Sequence, residues 1–190
     1  MESNNRENIL HIALDLFAIQ GYEATGIQEI VDKAEISKPT LYHYFGNKRG
    51  LLDAVIGEYG CRMFAVIENG TRYNHDLVMN LTILTREMIN HALSNQAFFR
   101  LYVALCSTGP GSQGFAASQP LRDSVYSRLE SMFASAAQDH GNMVGREKAY
   151  SRTFMGVISA WALLVINREI ELNDQTLYAI VHQFMHGIYS

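Results

Sequence analysis

The chain has 190 residues, 48% of them hydrophobic and 18% charged, with a net charge of −4. That is enough apolar material to bury a core, as one large domain or two small ones. The longest apolar candidate for a membrane span, residues 158–166, is far too short to cross, and the start Met1-Glu2-Ser3-Asn4-Asn5-Arg6 is polar and acidic rather than signal-like. Cys61 and Cys106 stand alone, without CxxC or histidine spacing, and are expected to be buried thiols in a reducing cytoplasm.

In chain order, Leu10, Ala13, Leu14 and Phe17 recur at i, i+3, i+4, i+7, which predicts a helix from Arg6 to Gln20 stopped by Gly21. Thr25-Gly26-Ile27-Gln28 reads as a capping box opening a second helix, Ile27 to Ala34, with Ile27, Ile30, Val31 and Ala34 inward. Glu35-Ile36 is a tight turn. Ser37 then caps a third, short helix with Pro39 in its first turn, where a missing N–H costs nothing.

That third helix, Ser37-Lys38-Pro39-Thr40-Leu41-Tyr42-His43-Tyr44-Phe45, crowds hydroxyls, aromatic rings and a lysine onto two turns. Two helices joined by a tight turn, the second one polar, predict a helix-turn-helix whose recognition helix enters the major groove of double-stranded DNA. Residues 1–50 carry five basic and seven acidic side chains, so the expectation rests on local placement rather than on a basic domain. Lys38, Lys48 and Arg49 surround the recognition helix. Lys48 and Arg49 follow the cap residue Asn47 at the positive end of a helix dipole, a position that suits an arriving phosphate. For Arg49 a solvated charge pair is the better reading.

The helical pattern continues from Asn47 through Leu51, Leu52, Val55, Ile56, Tyr59 and Met63 to Asn69-Gly70, fusing the head to the body without a linker. Further helices are expected at Asp76–Leu93, Gln96–Ser107, Pro120–His140, Arg146–Glu169 and Asp174–Tyr189, with a Gly/Ser/Pro-rich loop over Ser107–Ser118. No segment has a strand period. The fold class is therefore all-α: an N-terminal three-helix bundle with a helix-turn-helix (1–48), fused through a connecting helix to a larger helical ligand-binding and dimerisation domain (49–190).

The last two helices carry more apolar surface than one neighbour covers. Phe154, Val157, Trp161 and Leu164 on one, with Leu177, Val181, Phe184 and Ile188 on the other, are the expected interface of a homodimer. The middle helices are expected to line a pocket for a small-molecule effector. The candidates are Phe64, Ile67, Met88, His91 and Phe98, followed by Tyr102, Tyr126, Met132, Phe133 and Phe154, although any single one of them is more often plain core. His182 and His186 lie four apart on one face, two ligands without a third, so no metal is expected. No cofactor is expected either. The chain lacks G-x-S-x-G, a Walker loop, H-E-x-x-H and the Rossmann fingerprint, which argues against an enzyme.

The run Ile9-Leu10, Ala13-Leu14, Phe17, Gly21-Tyr22, Thr25, Ile30, Ser37 to Phe45, Lys48 and Leu51-Leu52 resembles the DNA-binding domain of the TetR family of bacterial regulators. Ile170-Glu171-Leu172-Asn173 and Phe184-Met185-His186-Gly187-Ile188 resemble, more weakly, the last two helices of many members. The resemblance implies a cytoplasmic, dimeric, ligand-responsive repressor without membrane contact. Its DNA contacts would come from Thr25, Gln28, Ser37, Lys38, Pro39, Thr40, Tyr42, His43, Tyr44 and Lys48, with His43, Tyr44 and Lys48 on the phosphate backbone. Two positions depart from the family pattern: Glu35 stands where glycine is usual, and Gly26 where Ser or Thr is frequent. An L-residue in that turn is expected to be strained if the turn keeps positive φ.

Overall fold

A computed structural model describes residues 2–187, apart from the side chains of 2–4 and 142. Among the described residues there are nine α-helices, one 3-10 turn and no strand: α1 (Glu2–Gln20), α2 (Ile27–Lys33), α3 (Lys38–Phe45), α4 (Lys48–Gly70), α5 (Leu77–Ser94), α6 (Gln96–Ser107), α7 (Gln113–Asp139), the 3-10 turn Gly141–Met143, α8 (Glu147–Ile166) and α9 (Asp174–His186). The all-α expectation holds. The chain divides into two compact units, Met1–Arg62 with Ala97–Arg122, and Met63–Gln96 with Asp123–Ser190. Both α4 and α7 run unbroken through this division.

In the first unit, the α1 stripe Ile9, Leu10, Ala13, Leu14 and Phe17 is buried, as are Ile30 and Val31 of α2 and Leu41 and Phe45 of α3. The C-terminal signals work as physical chemistry requires. Gly21 takes φ +87 after α1, and Gly46 takes φ +73 after α3 while its N–H donates to the Tyr42 carbonyl. The α3–α4 joint is tight. A β-carbon added to Gly50 would lie 2.1 Å from the Phe45 carbonyl oxygen, and the Gly50 N–H donates to Asn47 Oδ1 at 2.9 Å.

In the second unit, α5 packs against α8 and α9, and α8 against α9. Leu81, Leu84, Met88, Phe154, Ile158, Leu177 and Ile180 are fully or almost fully buried there. Helix α8 is, by length and composition, apolar enough to cross a membrane, with a mean hydropathy of 1.4 over 18 residues. This corrects the expectation that no such segment exists. Helix α8 extends the apolar run of residues 158–166 back past Arg152. Its packing on α5 and α9 makes it a core helix of this unit.

Other expectations are revised. Helix α1 begins at Glu2 rather than Arg6, and α2 ends at Lys33, with Ala34 as its C-cap. The capping box at Thr25 does not form: Gly26 is the N-cap and no side chain caps it. The Thr25 hydroxyl instead donates backwards to the Gly21 carbonyl at 2.8 Å. The Gly/Ser-rich loop is shorter than expected. Ser112 accepts from the Phe115 N–H and starts α7 at Gln113, so Pro120 lies inside a helix. The carbonyl that Pro120 leaves without a donor belongs to Ala116, and both residues are exposed, so water can satisfy it. Helix α8 stops at Ile166 rather than Glu169, and α9 at His186 rather than Tyr189, which lies outside the described residues. Cys61 is exposed rather than buried, and burial of the half-covered Cys106 raises its thiol pKa.

The α2–α3 turn keeps its left-handed residue. Glu35 has φ +54; its N–H donates to the Asp32 carbonyl and that of Ile36 to the Val31 carbonyl. That pair of bonds is a Schellman motif with a glutamate in the glycine seat. Arg168 repeats the device after α8, with φ +62 and bonds from Arg168 N–H to Val165 and from Glu169 N–H to Leu164. A left-handed L-residue costs ~1–2 kcal/mol, and glycine returns part of that through unfolded-state entropy. Glu35→Gly is therefore expected to raise stability by about 0.5–1 kcal/mol in a urea titration without weakening DNA binding. Glu35 forms no ion pair with Lys38 that the substitution would remove.

Candidate DNA-binding interface

Helix α3 is seated by its cap. The Ser37 hydroxyl accepts from the Thr40 N–H at 3.3 Å and shares a hydrogen bond with the Thr40 hydroxyl at 2.8 Å. Leu41 and Phe45 fasten the inner face to the core. The outer face is left to Lys38, Pro39, Tyr42 and His43, all exposed, with Thr40 and Tyr44 half-covered beside them. Tyr42, a large ring, is 43% exposed, which lets it meet a base edge or sugar. The His43 and Tyr44 rings pack edge-on at 5.6 Å. Gln28, at the start of α2, is exposed and bonds Asp32 at 2.7 Å.

Nine of the ten expected DNA residues thus present a side chain at or near the surface. Thr25 does not: it is 1% exposed, and its hydroxyl is spent on backbone carbonyls of the α1 end. Its role is to hold the α1–α2 connection.

Lys48 lies at the mouth of a shallow recess of about 450 Å³ lined by Tyr22, Glu23, Asn47, Lys48, Arg49 and Gln113. Its Nζ donates to the Glu23 carbonyl at 3.2 Å and stands 4.4 Å from the centre of the Tyr22 ring. Burial lowers its pKa, and the Glu23 carboxylate works in the opposite direction. An ammonium held this way is pre-positioned, and two of its N–H donors remain for a phosphate. Arg49 is occupied, pairing with Asp53 at 2.8 Å and donating to the Gln113 carbonyl at 3.1 Å. The charge-pair reading of Arg49 holds. Gln113 also accepts the Tyr22 hydroxyl at 2.8 Å, a link that no sequence pattern announced.

The expected pocket residues divide between the two units. Phe98 and Tyr102 lie in the first unit, where Phe98 stacks between Tyr59 and Tyr102 at 6.1 and 6.4 Å. The other eight lie in the second. There Ile67, Met88, Met132 and Phe154 are buried core, Phe64 is half-covered, the Tyr126 ring is covered by Arg152 at 4.5 Å, and His91 is half-covered beside Asn95. Of the ten, Phe133 alone lines the recess of about 420 Å³ found in that unit. Of the expected dimer residues, Phe154, Leu177 and Val181 are buried within their own unit and unavailable to a partner, because α5 already covers that side of α8 and α9. Val157, Trp161, Leu164 and Phe184 stay partly exposed, and Ile188 lies outside the described residues.

A capped, exposed polar helix following a tight turn defines a helix-turn-helix. Residues 9–55 match the profile of the bacterial regulatory proteins of the tetR family. The transcriptional regulator YxaF of Bacillus subtilis is 28% identical over 142 residues, 73% of this chain and 72% of that one. The transcriptional repressor KstR of Mycolicibacterium smegmatis is 28% identical over 145 residues, 73% of this chain and 65% of that one. The structure of FadR from Bacillus subtilis in complex with stearoyl-CoA superposes with a TM-score of 0.76 at 13% identity, over 96% of this chain and 99% of that one, a likeness of fold. The profile match marks residues 9–55 as the DNA-binding domain of the TetR family, a family of transcriptional regulators.

Proposed function

We propose that the protein is a cytoplasmic, ligand-responsive repressor that binds a palindromic operator as a homodimer and is released by a small, largely apolar effector. Residues 1–48 read DNA, and 49–190 bind ligand and dimerise. The observation that carries the reading is the outer face of α3, with Lys38, Tyr42 and His43 exposed and its inner face pinned by Leu41 and Phe45. Dimerisation is supported by the outer face of α8, where Gly156, Val157, Ala160, Trp161 and Leu164 stay at least partly exposed at helical spacing. A two-fold dimer presents two recognition helices to half-sites about 34 Å apart. The effector acts only through its different affinity for the DNA-bound and free conformations.

Footprinting on the DNA beside the protein's own gene, with and without candidate apolar effectors, tests the reading; an unprotected upstream region at every concentration would sink it. Within the interface, Lys48→Ala is expected to weaken binding to all sequences alike and to lower the salt slope by about one unit. Tyr42→Ala is expected to reduce discrimination between operator and random DNA instead. Salt-dependent fluorescence anisotropy on both DNAs separates the two, and equal loss of specificity in both variants would refute this division of roles. The second reading, a body that binds a protein partner, is favoured by Val78, Met79 and Ile83 of α5, which are 50%, 52% and 41% exposed.

A further inference from the structure

The second unit holds a recess of about 420 Å³, lined by the start of α5, the end of α7, the 3-10 turn, Tyr150 and the end of α9. Its wall is aromatic. Phe133 meets Tyr150 at 5.7 Å and Phe184 at 6.1 Å, ring centre to ring centre. Leu77, Leu81, Met143 and Met185 complete the apolar lining, and the two thioethers let it adapt to irregular shapes. Its rim is polar and asymmetric in charge. Asp76 lines it, and no lysine or arginine does. Behind the rim residue His75, Asp139 accepts from the Tyr73 hydroxyl and lies against His75 Nδ1, each at 2.8 Å.

Those two hydrogen bonds hold the Asp139 carboxyl below its ordinary pKa, so it stays anionic. Partial burial and the same bond push Tyr73 up to about 12, so the phenol remains a neutral donor. His75 has φ +64, a left-handed backbone in a residue other than glycine, and Asp139 holds it there. Strain of this kind concentrates where a rim must be pre-set for a ligand.

We propose that this recess is the effector site and that it takes a lipophilic cation, an ammonium or similar charge on an apolar body. Ring faces attract a desolvated cation, and the Asp76 carboxylate at the rim supplies the complementary charge. An anionic amphiphile meets the wrong sign at this rim. The link to DNA release rests on the ligand-responsive reading above; the binding itself does not.

The test titrates the full chain at neutral pH by calorimetry with tetraphenylphosphonium and, as a control of matched shape and opposite charge, tetraphenylborate. The cation is expected to bind about tenfold more tightly than the anion. Val78→Trp, placed at a half-exposed lining position, blocks the recess and should abolish cation binding. Asp76→Asn keeps the α5 cap, which needs only an acceptor for the Met79 N–H, and should weaken it about fivefold. Equal affinity for the two probes, or wild-type affinity in both variants, overturns the proposal. In parallel, saturating tetraphenylphosphonium should dissociate the wild-type protein from operator DNA but not the Val78→Trp variant. Binding that leaves the DNA complex intact overturns the effector role and leaves operator recognition standing. A wild-type protein that binds no operator overturns the repressor reading, while the calorimetry still decides the recess.

Discussion

Gly50→Ala is expected to abolish operator binding and to destabilise the protein by about 1–3 kcal/mol or more, as overpacking at a rigid contact does. The new methyl group would sit 2.1 Å from the Phe45 carbonyl oxygen, well inside contact distance. The obstacle is backbone, so no side-chain rotation relieves it. Relief has to come from opening the α3–α4 joint, which moves the recognition helix relative to Lys48 and breaks the bond from Gly50 N–H to Asn47. Urea titration and anisotropy on operator DNA measure the two losses. Gly57 provides the control on the same helix: a β-carbon there meets nothing within 4 Å, so Gly57→Ala should be neutral or slightly stabilising. A Gly50→Ala protein with wild-type stability and binding would show that the joint yields freely.

Trp161→Asp is expected to convert a dimer to a monomer, at a cost of several kcal/mol in association for an unpaired charge in an apolar interface. Trp161 stays partly exposed on α8, whereas its helix neighbours Ile158 and Ala162 are fully buried. Phe184 is a poorer probe, because its ring packs on Phe154 at 4.9 Å and its loss would disturb the second unit itself. Sedimentation reads the oligomeric state, and circular dichroism confirms that the monomer stays folded. A wild-type protein that sediments as a monomer at micromolar concentration would end the dimer proposal.

Much of the fold was legible because helix periodicity and termini are local properties. The α1 stripe, Gly21, the Ser37 cap and the seat of Pro39 each depend on a few neighbouring residues, and each was found where the spacing placed it. Thr25 misled because a hydroxyl before a helix has two partners open to it, and burial against α1 chose the backward one. Pro120 misled because proline suits the first turn of a helix, whereas the Ser112 cap starts α7 seven residues earlier, at Gln113. The recess was illegible for a different reason. Its lining comes from residues 75–81, 133–143, 150 and 184–185, brought together by packing alone, and its defining residue His75 stands in a loop with no motif around it. Aromatic residues at helical spacing described the core, and the recess lies beside that core, at the helix ends.

Gln113 bears on how this sequence can change over time. The first residue of α7 is tied to Tyr22 by its side chain and to Arg49 by its carbonyl, and only Thr108–Ser112 separate it from the end of α6. Surface loops rich in glycine and serine ordinarily accept insertions and deletions with little consequence. Here the two bonds of Gln113 tie the loop's end to the α1–α2 connection and to the α4 start, so a change of loop length is expected to strain them. Relatives that vary in length here should therefore replace the Tyr22–Gln113–Arg49 set as a group, and a single glycine inserted after Gly109 should disturb the α4 start far more than its place in a surface loop suggests.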